Sequence, residues 1–171
     1  LGIDVNLTQI ITLAIVQGIT EFLPISSSGH LLLVPLLTGW PDQGLSLDIA
    51  THVGTLFAVL LYFREDLIFM VRGMTGRLAE GDAARGKQLF RHLVIGSIPA
   101  MIAGGLLFFV AQLDFRSILV IATTTIFFGA VLGVADRYFK GSKSLVQMDN
   151  WDAFFIGMLQ IFALVPGTSR S

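Results

Sequence analysis

Two charge-free apolar runs, Leu93–Ala111 and Ser117–Ala135, constrain this chain more than any other feature. Each is about 19 residues long, inside the range of roughly 17–25 that a helix needs to cross a bilayer core. Lipid offers no partners to backbone N–H and C=O groups, so such runs must satisfy themselves as helices. Four more apolar runs accompany them: Leu7–Leu23, Leu31–Gly39, Ile49–Phe63 and Ala153–Val165. Ile49–Phe63 is a marginal span unless Asp48 and Tyr62 sit at the interfaces. Leu31–Gly39 and Ala153–Val165 are too short to cross alone, and each adjoins a break of Pro, Gly and Ser. Interrupted apolar segments suit re-entrant or broken helices that line a polar cavity. The expected fold is all-α: a polytopic integral membrane helix bundle with inverted-topology repeats and re-entrant or broken helices.

Composition agrees. Of 171 residues, 54% are hydrophobic and 13% charged, about half the charged share of a soluble domain. The formal net charge of −1 gives no footprint for nucleic acid, which is not expected as a partner. There is no cysteine, so thiolate nucleophiles and cysteine metal sites are excluded. Leu7–Leu23 has no preceding Lys or Arg and runs into Pro-Ile-Ser-Ser-Ser, so it does not read as a cleavable signal.

Basic residues set the expected orientation. Arg64, Arg72, Arg77, Arg85, Lys87 and Arg91 crowd one stretch, and Arg137, Lys140 and Lys143 a second. The positive-inside rule puts both in the cytoplasm and the turn near Asp114 outside. Phe22-Leu23-Pro24-Ile25-Ser26-Ser27-Ser28 aligns without gaps on Leu164-Val165-Pro166-Gly167-Thr168-Ser169-Arg170, and Gln17 and Gln160 lie on the preceding helices one position out of step. Three spans lie between the copies, an odd number. The copies are therefore entered from opposite sides, which brings their breaks together near the midplane. Residues 1–135 read as a first membrane repeat, with a re-entrant motif at 7–39 and spans near 48–63, 93–111 and 117–136. Residues 136–171 read as the start of a second repeat, so the chain reads as part of something longer.

Chemistry concentrates at the breaks. Between Val5 and Pro41 the only acid is Glu21 and the only histidine His30. An ionisable side chain at membrane depth costs about 2.5–3.5 kcal/mol on the insertion scale, so its presence there points to function. Gln17 and Glu21, four apart, share a helix face and offer oxygens to a hard cation such as Mg²⁺. Pro24 is expected to end that helix. Ser26, Ser27, Ser28 and Gly29 then precede the next apolar run, where cap serines and free N–H groups form an anion site. Arg170, beside Thr168 and Ser169 in the second copy, carries a fork suited to two phosphate oxygens. One acid, one imidazole, one guanidinium and several hydroxyls in an apolar chain fit a phosphorylated or pyrophosphorylated lipid.

These residues resemble a known family. Gln17-Gly-Ile-Thr-Glu21-Phe-Leu-Pro-Ile-Ser-Ser-Ser-Gly-His30 is similar to the first signature of the undecaprenyl pyrophosphate phosphatase family, also called the bacitracin-resistance protein family. Pro166-Gly-Thr-Ser-Arg170-Ser171 resembles its second signature, and Thr51-His52-Val53-Gly54-Thr55-Leu56 and Ile98-Pro99-Ala100 also look similar. The resemblance implies that Glu21, Ser27, His30 and Arg170 carry the activity, with Gln17, Ser28, Thr168 and Ser169 in support. It also implies a divalent cation, Mg²⁺ or Ca²⁺, in a bacterial plasma (inner) membrane, with the pocket facing the periplasm. Undecaprenyl pyrophosphate and membrane lipid are the implied partners. The oligomeric state is not set by the sequence, which leaves a homodimer open. Gln17 stands where other members carry Glu, which removes one carboxylate from the cation pair. The fragment is not expected to be active alone.

Expected roles follow. Arg170 and the backbone N–H groups near Ser27–Gly29 hold the pyrophosphate, and Glu21, with Gln17, positions the cation. His30 is the nucleophile or the base, with Ser27 as its partner. The alternative reading is a polyprenyl-phosphate flippase or secondary transporter of the same architecture. His52 is expected to make a structural contact with Asp48, and His92 to be solvated.

Overall fold

A computed structural model describes residues 5–23, 25–110, 117–138, 141 and 143–169. Among the described residues the regular structure is entirely helical. Seven α-helices follow in order: α1 (Leu7–Thr20), α2 (Ser27–Thr38), α3 (Gly44–Tyr62), α4 (Arg64–Met74), α5 (Glu80–Val110), α6 (Ile118–Tyr138) and α7 (Asn150–Gln160). A 3₁₀ turn at Leu145–Gln147 precedes α7, and another at Ile161–Leu164 follows it.

Three of these helices, α3, α5 and α6, are long and apolar enough to cross a membrane, and they are the three spans expected between the two breaks. Only 6–11% of their apolar windows is buried within the chain. Phe108 and Phe109 stand 84% and 85% exposed. A water-soluble surface rarely carries so much contiguous apolar area. Lipid is the solvent in which this surface is stable. The chain is a multi-pass membrane protein.

The chain forms two compact units. The first comprises residues 1–57, 113–140 and 165–171, and so contains α1, α2, the first part of α3, α6 and the segment after the second 3₁₀ turn. In it α1 packs on α2 and α2 on α6. Asn6 starts α1 by accepting from the Gln9 N–H at 2.7 Å, the kind of cap that satisfies one of the four orphan donors of a helix start. Leu13 and Leu31 are fully enclosed, and beside them lie three enclosed glutamines, Gln9, Gln17 and Gln43. Each is anchored through its amide nitrogen: Gln9 to the Pro41 carbonyl at 2.8 Å, Gln43 to Asp48 Oδ1 at 2.7 Å, and Gln17 to Glu21. Enclosed amides away from water need such partners.

The second unit comprises residues 58–112 and 141–164. The stretch 64–92, read from sequence only for its charge, folds as α4 and the first part of α5. Glu65 and Asp66 occupy the first turn of α4 and Arg72 its last, complementing the helix dipole. α5 packs on both α4 and α7. Its crossing with α7 is backbone to backbone: a Cβ placed on Gly157 would lie 2.9 Å from the carbonyl carbon of Gly96. Small residues permit such approach where no hydrophobic force drives helices together in lipid. Asp149 caps α7 by accepting from the Asp152 N–H at 2.8 Å, and Lys143 reaches Asp152 at 2.5 Å. His92 corrects its expectation. It is 7% exposed with Nε2 enclosed and unbonded, because α5 extends down to Glu80 and draws the imidazole into the helix packing.

Candidate functional site

The first break is built from the end of α1 and the start of α2. α1 closes at Thr20 with Glu21 as C-cap, whose N–H bonds the Gln17 carbonyl at 2.9 Å. The helix thus stops ahead of Pro24, and that proline lies outside the described residues. Ser26 caps α2, its Oγ accepting from the Gly29 N–H at 3.2 Å. That is the cap expected from the serine run. The N–H groups of the first turn of α2 are then the donors that a helix start leaves for an acceptor.

Across this break the side chains converge on one oxygen. Glu21 Oε2 accepts from Ser27 Oγ at 2.7 Å and from Gln17 Nε2 at 3.0 Å. The 2.7 Å bond is at the short, charge-assisted end for a hydroxyl on a carboxylate. Gln17 is fully enclosed and its Nε2 also lies 3.5 Å from Thr55 Oγ1 on α3, while its Oε1 is enclosed without a partner. Ser26 and Ser28 hydroxyls lie 3.1 Å apart.

The expected pairing of Ser27 with His30 is not the one observed. Ser27, expected as the partner of His30, donates to Glu21. His30 Nδ1 instead bonds the Ser26 carbonyl at 2.7 Å. A carbonyl only accepts, so Nδ1 carries a proton, and in the neutral imidazole Nε2 holds the lone pair. The cause is local: α2 begins at once, and an imidazole four residues on meets the cap carbonyl.

His52 is the residue that sequence reasoning missed. Its Nδ1 bonds the Asp48 carbonyl at 2.8 Å, the structural contact expected for it. Its Nε2, however, lies 3.8 Å from Glu21 Oε2, an electrostatic contact beyond hydrogen-bond range. α3 delivers both His52 and Thr55 to the Gln17–Glu21 pair. The signal was available in Thr51-His52-Val53-Gly54-Thr55, where His52 and Thr55, three apart, share a helix face.

The second motif meets the first. Pro166 and Gly167 form a turn, with Thr168 N bonding the Val165 carbonyl at 3.2 Å. Ser169 Oγ lies 3.4 Å from the Leu23 carbonyl, at the lip of the first break. Thr168 Oγ1 is enclosed and unbonded. Gly167 has φ +92°, a left-handed conformation that disfavours a side chain, and a Cβ there would sit 2.6 Å from the Ile121 carbonyl. Arg170, the expected phosphate fork, and Ser171 lie outside the described residues. Gln160 does not mirror Gln17, being exposed where Gln17 is enclosed.

Beside the mouth, a cavity of about 250 Å³ opens from Ser26, Gly29 and His30 between α2 and α6. Its walls include Leu32, Leu33, Leu36, Ile118, Ile121, Thr125 and Ile126, and the lining surface is almost wholly apolar.

A family model described as bacitracin resistance protein BacA matches residues 10–171. The chain belongs to this family. The BacA-family chain is 48% identical over 163 residues to the undecaprenyl-diphosphatase of Hahella chejuensis, covering 95% of the chain and 61% of that relative. It is 48% identical over 167 residues to the protein of the same name from Idiomarina loihiensis, covering 95% and 62%. With the one from Saccharophagus degradans it shares 45% over 166 residues, covering 97% and 62%. The BacA-family chain thus spans about three-fifths of the length of these relatives. No solved structure matches it.

Proposed function

We propose that the protein carrying this chain is an integral membrane undecaprenyl-diphosphate phosphatase. It hydrolyses undecaprenyl pyrophosphate to undecaprenyl phosphate and inorganic phosphate, recycling the lipid carrier of peptidoglycan synthesis and conferring bacitracin resistance. The observation that carries this reading is the meeting of Glu21, Ser27 and Gln17 at the first break with the Ser169 turn of the second, in a chain whose relatives bear that enzyme name.

The reaction forms a bond from water oxygen, or first from an enzyme nucleophile, to the terminal phosphorus. The bond from that phosphorus to the bridging oxygen breaks, and undecaprenyl phosphate departs as a stable anion. Such transfer is mostly positioning and charge neutralisation. The α2 start, with Ser26, Ser28 and Gly29, and the second motif, with Thr168, Ser169 and Arg170, hold the pyrophosphate. His30, with Nδ1 fixed on the Ser26 carbonyl, offers Nε2 as nucleophile or as the base that accepts the proton of water. Glu21 holds Ser27 in place through the 2.7 Å bond.

The donor set suits a divalent cation, Mg²⁺ or Ca²⁺. Glu21 presents a hard carboxylate, and Gln17, which donates to it through Nε2, keeps an enclosed, unbonded Oε1 that would have to turn toward the same point to join the ion. Among the described residues no cluster of three or more His, Cys, Asp or Glu could hold the ion unaided. Glu21, with Gln17, would hold the ion, which when bound would neutralise charge developing on the phosphate oxygens.

The basic stretches 64–91 and 137–143 support a bacterial plasma (inner) membrane orientation with those segments cytoplasmic. The three spans between the breaks support an inverted arrangement of the two motifs, and a pocket toward the periplasm is what the family resemblance implies. Phosphate release from undecaprenyl pyrophosphate by the purified, detergent-solubilised full-length protein tests the function. Silence in that assay, with transport retained in vesicles, would replace the enzyme by a polyprenyl-phosphate carrier.

A further inference from the structure

α6 reads from sequence as an ordinary span, yet it carries Thr123, Thr124 and Thr125 in the middle of an apolar run. Hydroxyls inside a membrane helix ordinarily return to their own backbone, as Thr123 does toward Leu119 at 2.8 Å. Its two neighbours also reach outward. Thr124 Oγ1 donates to the Pro166 carbonyl at 2.5 Å, and Thr125 Oγ1 to the Gly167 carbonyl at 2.9 Å. Two successive carbonyls of the second motif are thus held by two successive hydroxyls of one helix.

The same short stretch of α6 touches the first motif. A Cβ on Gly29 would stand 3.2 Å from Ile121 Cγ2, and one on Gly167 would stand 2.6 Å from the Ile121 carbonyl. Ile121 is 7% exposed. Residues 121–125 therefore press on both breaks at once. Thr125 also lines the cavity shared with Ser26 and His30. Among the described residues, 165–169 lie in a turn and a stretch without regular structure, and the bonds from Thr124 and Thr125 fix the two carbonyls of that turn.

We infer that Thr124 and Thr125 are positioning residues: their hydroxyls set the second motif against the first, at the spacing where Ser169 meets the Leu23 carbonyl. Valine matches threonine in shape and keeps the span apolar, while serine keeps the hydroxyl. The comparison therefore separates the hydrogen bonds from the packing. The inference extends the proposed phosphatase reading, and its test has an arm independent of that reading.

The arm is chemical. Residues 1–171 contain no cysteine, so Leu23→Cys with Ser169→Cys, in a full-length protein from which any cysteine elsewhere has been replaced by serine, gives a single cross-linkable pair spanning the two motifs. A short bis-maleimide, which adds one cysteine thiol at each end, should join that pair in membranes. Adding Thr124→Val and Thr125→Val should abolish most of the joining, and adding Thr124→Ser and Thr125→Ser should preserve it. In the otherwise wild-type background the double valine variant should lose turnover by about 100-fold, the scale of a 1 Å misplacement at a reacting centre. The double serine variant should stay near wild type, and both should enter the membrane normally. Joining that persists in the valine background overturns the inference whatever the activity does. Joining lost with turnover intact overturns it too. An inactive wild type removes the phosphatase reading, while cysteine joining still decides whether the hydroxyls place the motif.

Discussion

Ser27 Oγ donates to Glu21 Oε2 at 2.7 Å across the break between α1 and α2. That bond ties the two sides of the break together, and it gives the carboxylate a second donor beside Gln17. Glu21→Gln keeps the shape and removes the charge. It is expected to lower phosphate release by about 100-fold or more, the scale of losing a stabiliser of developing charge, with normal membrane insertion. Ser27→Ala should cut turnover as well. Near-wild-type rates in Glu21→Gln would take the carboxylate out of the site.

For His30, alanine should reduce turnover by about 10²–10⁴-fold, the range of a lost acid–base group. Asparagine can still donate to the Ser26 carbonyl but has no basic nitrogen, so it should fail equally. A rapid acid-free quench that traps phosphorylated His30 would establish the covalent route. Full burst kinetics without that adduct would assign His30 as the base.

His52 faces Glu21 from α3 at 3.8 Å. His52→Ala should cost roughly 10- to 100-fold in kcat, as loss of an outer supporting group does. His52→Gln retains a polar group within reach of the carboxylate and should recover much of it. Equal rates for wild type and His52→Ala would make the contact incidental.

Gln17→Glu would set two carboxylates four residues apart in an enclosed site. Like charges so placed repel unless a cation lies between them. The variant should lose thermal stability in chelator, regain it with Mg²⁺, and reach half-maximal activity at lower Mg²⁺ than wild type. A melting temperature indifferent to Mg²⁺ would argue against a cation at this pair.

Outside the spanning segments, Lys143 and Asp152 pair at 2.5 Å. The lysine bond holds the Asp152 carboxyl below its ordinary 3.8, with the Asp149 backbone adding to this. The same bond raises Lys143 above its ordinary 10.5. Asp152's depressed value makes its contribution present above 3.8 and lost as pH falls through the folded value. Lys143's raised value makes its contribution present below 10.5 and lost as pH climbs through the folded value. The melting difference between wild type and Asp152→Asn should be flat between those limits, shrink on both sides, and fall in high salt because the pair is exposed.

The membrane class and the three spans were legible in apolar runs and charge density, because lipid imposes length and composition on any helix that crosses it. Both breaks, the Ser26 cap and the Gln17–Glu21 pair were legible too, since each depends on residues within one turn of one another. The basic stretch 64–92 is legible in sequence only as charge, and α4 within it is not, because its periodicity is amphipathic rather than apolar.

What tertiary structure alone decided is who faces whom. That Ser27 serves Glu21 while His30 turns to its own cap, that α3 brings His52 and Thr55 to the same carboxylate, and that α6 grips Pro166 and Gly167 are long-range facts. Periodicity tells which side of a helix a residue lies on. It carries no information about which other helix that side meets, because that depends on packing contacts between segments distant in the chain.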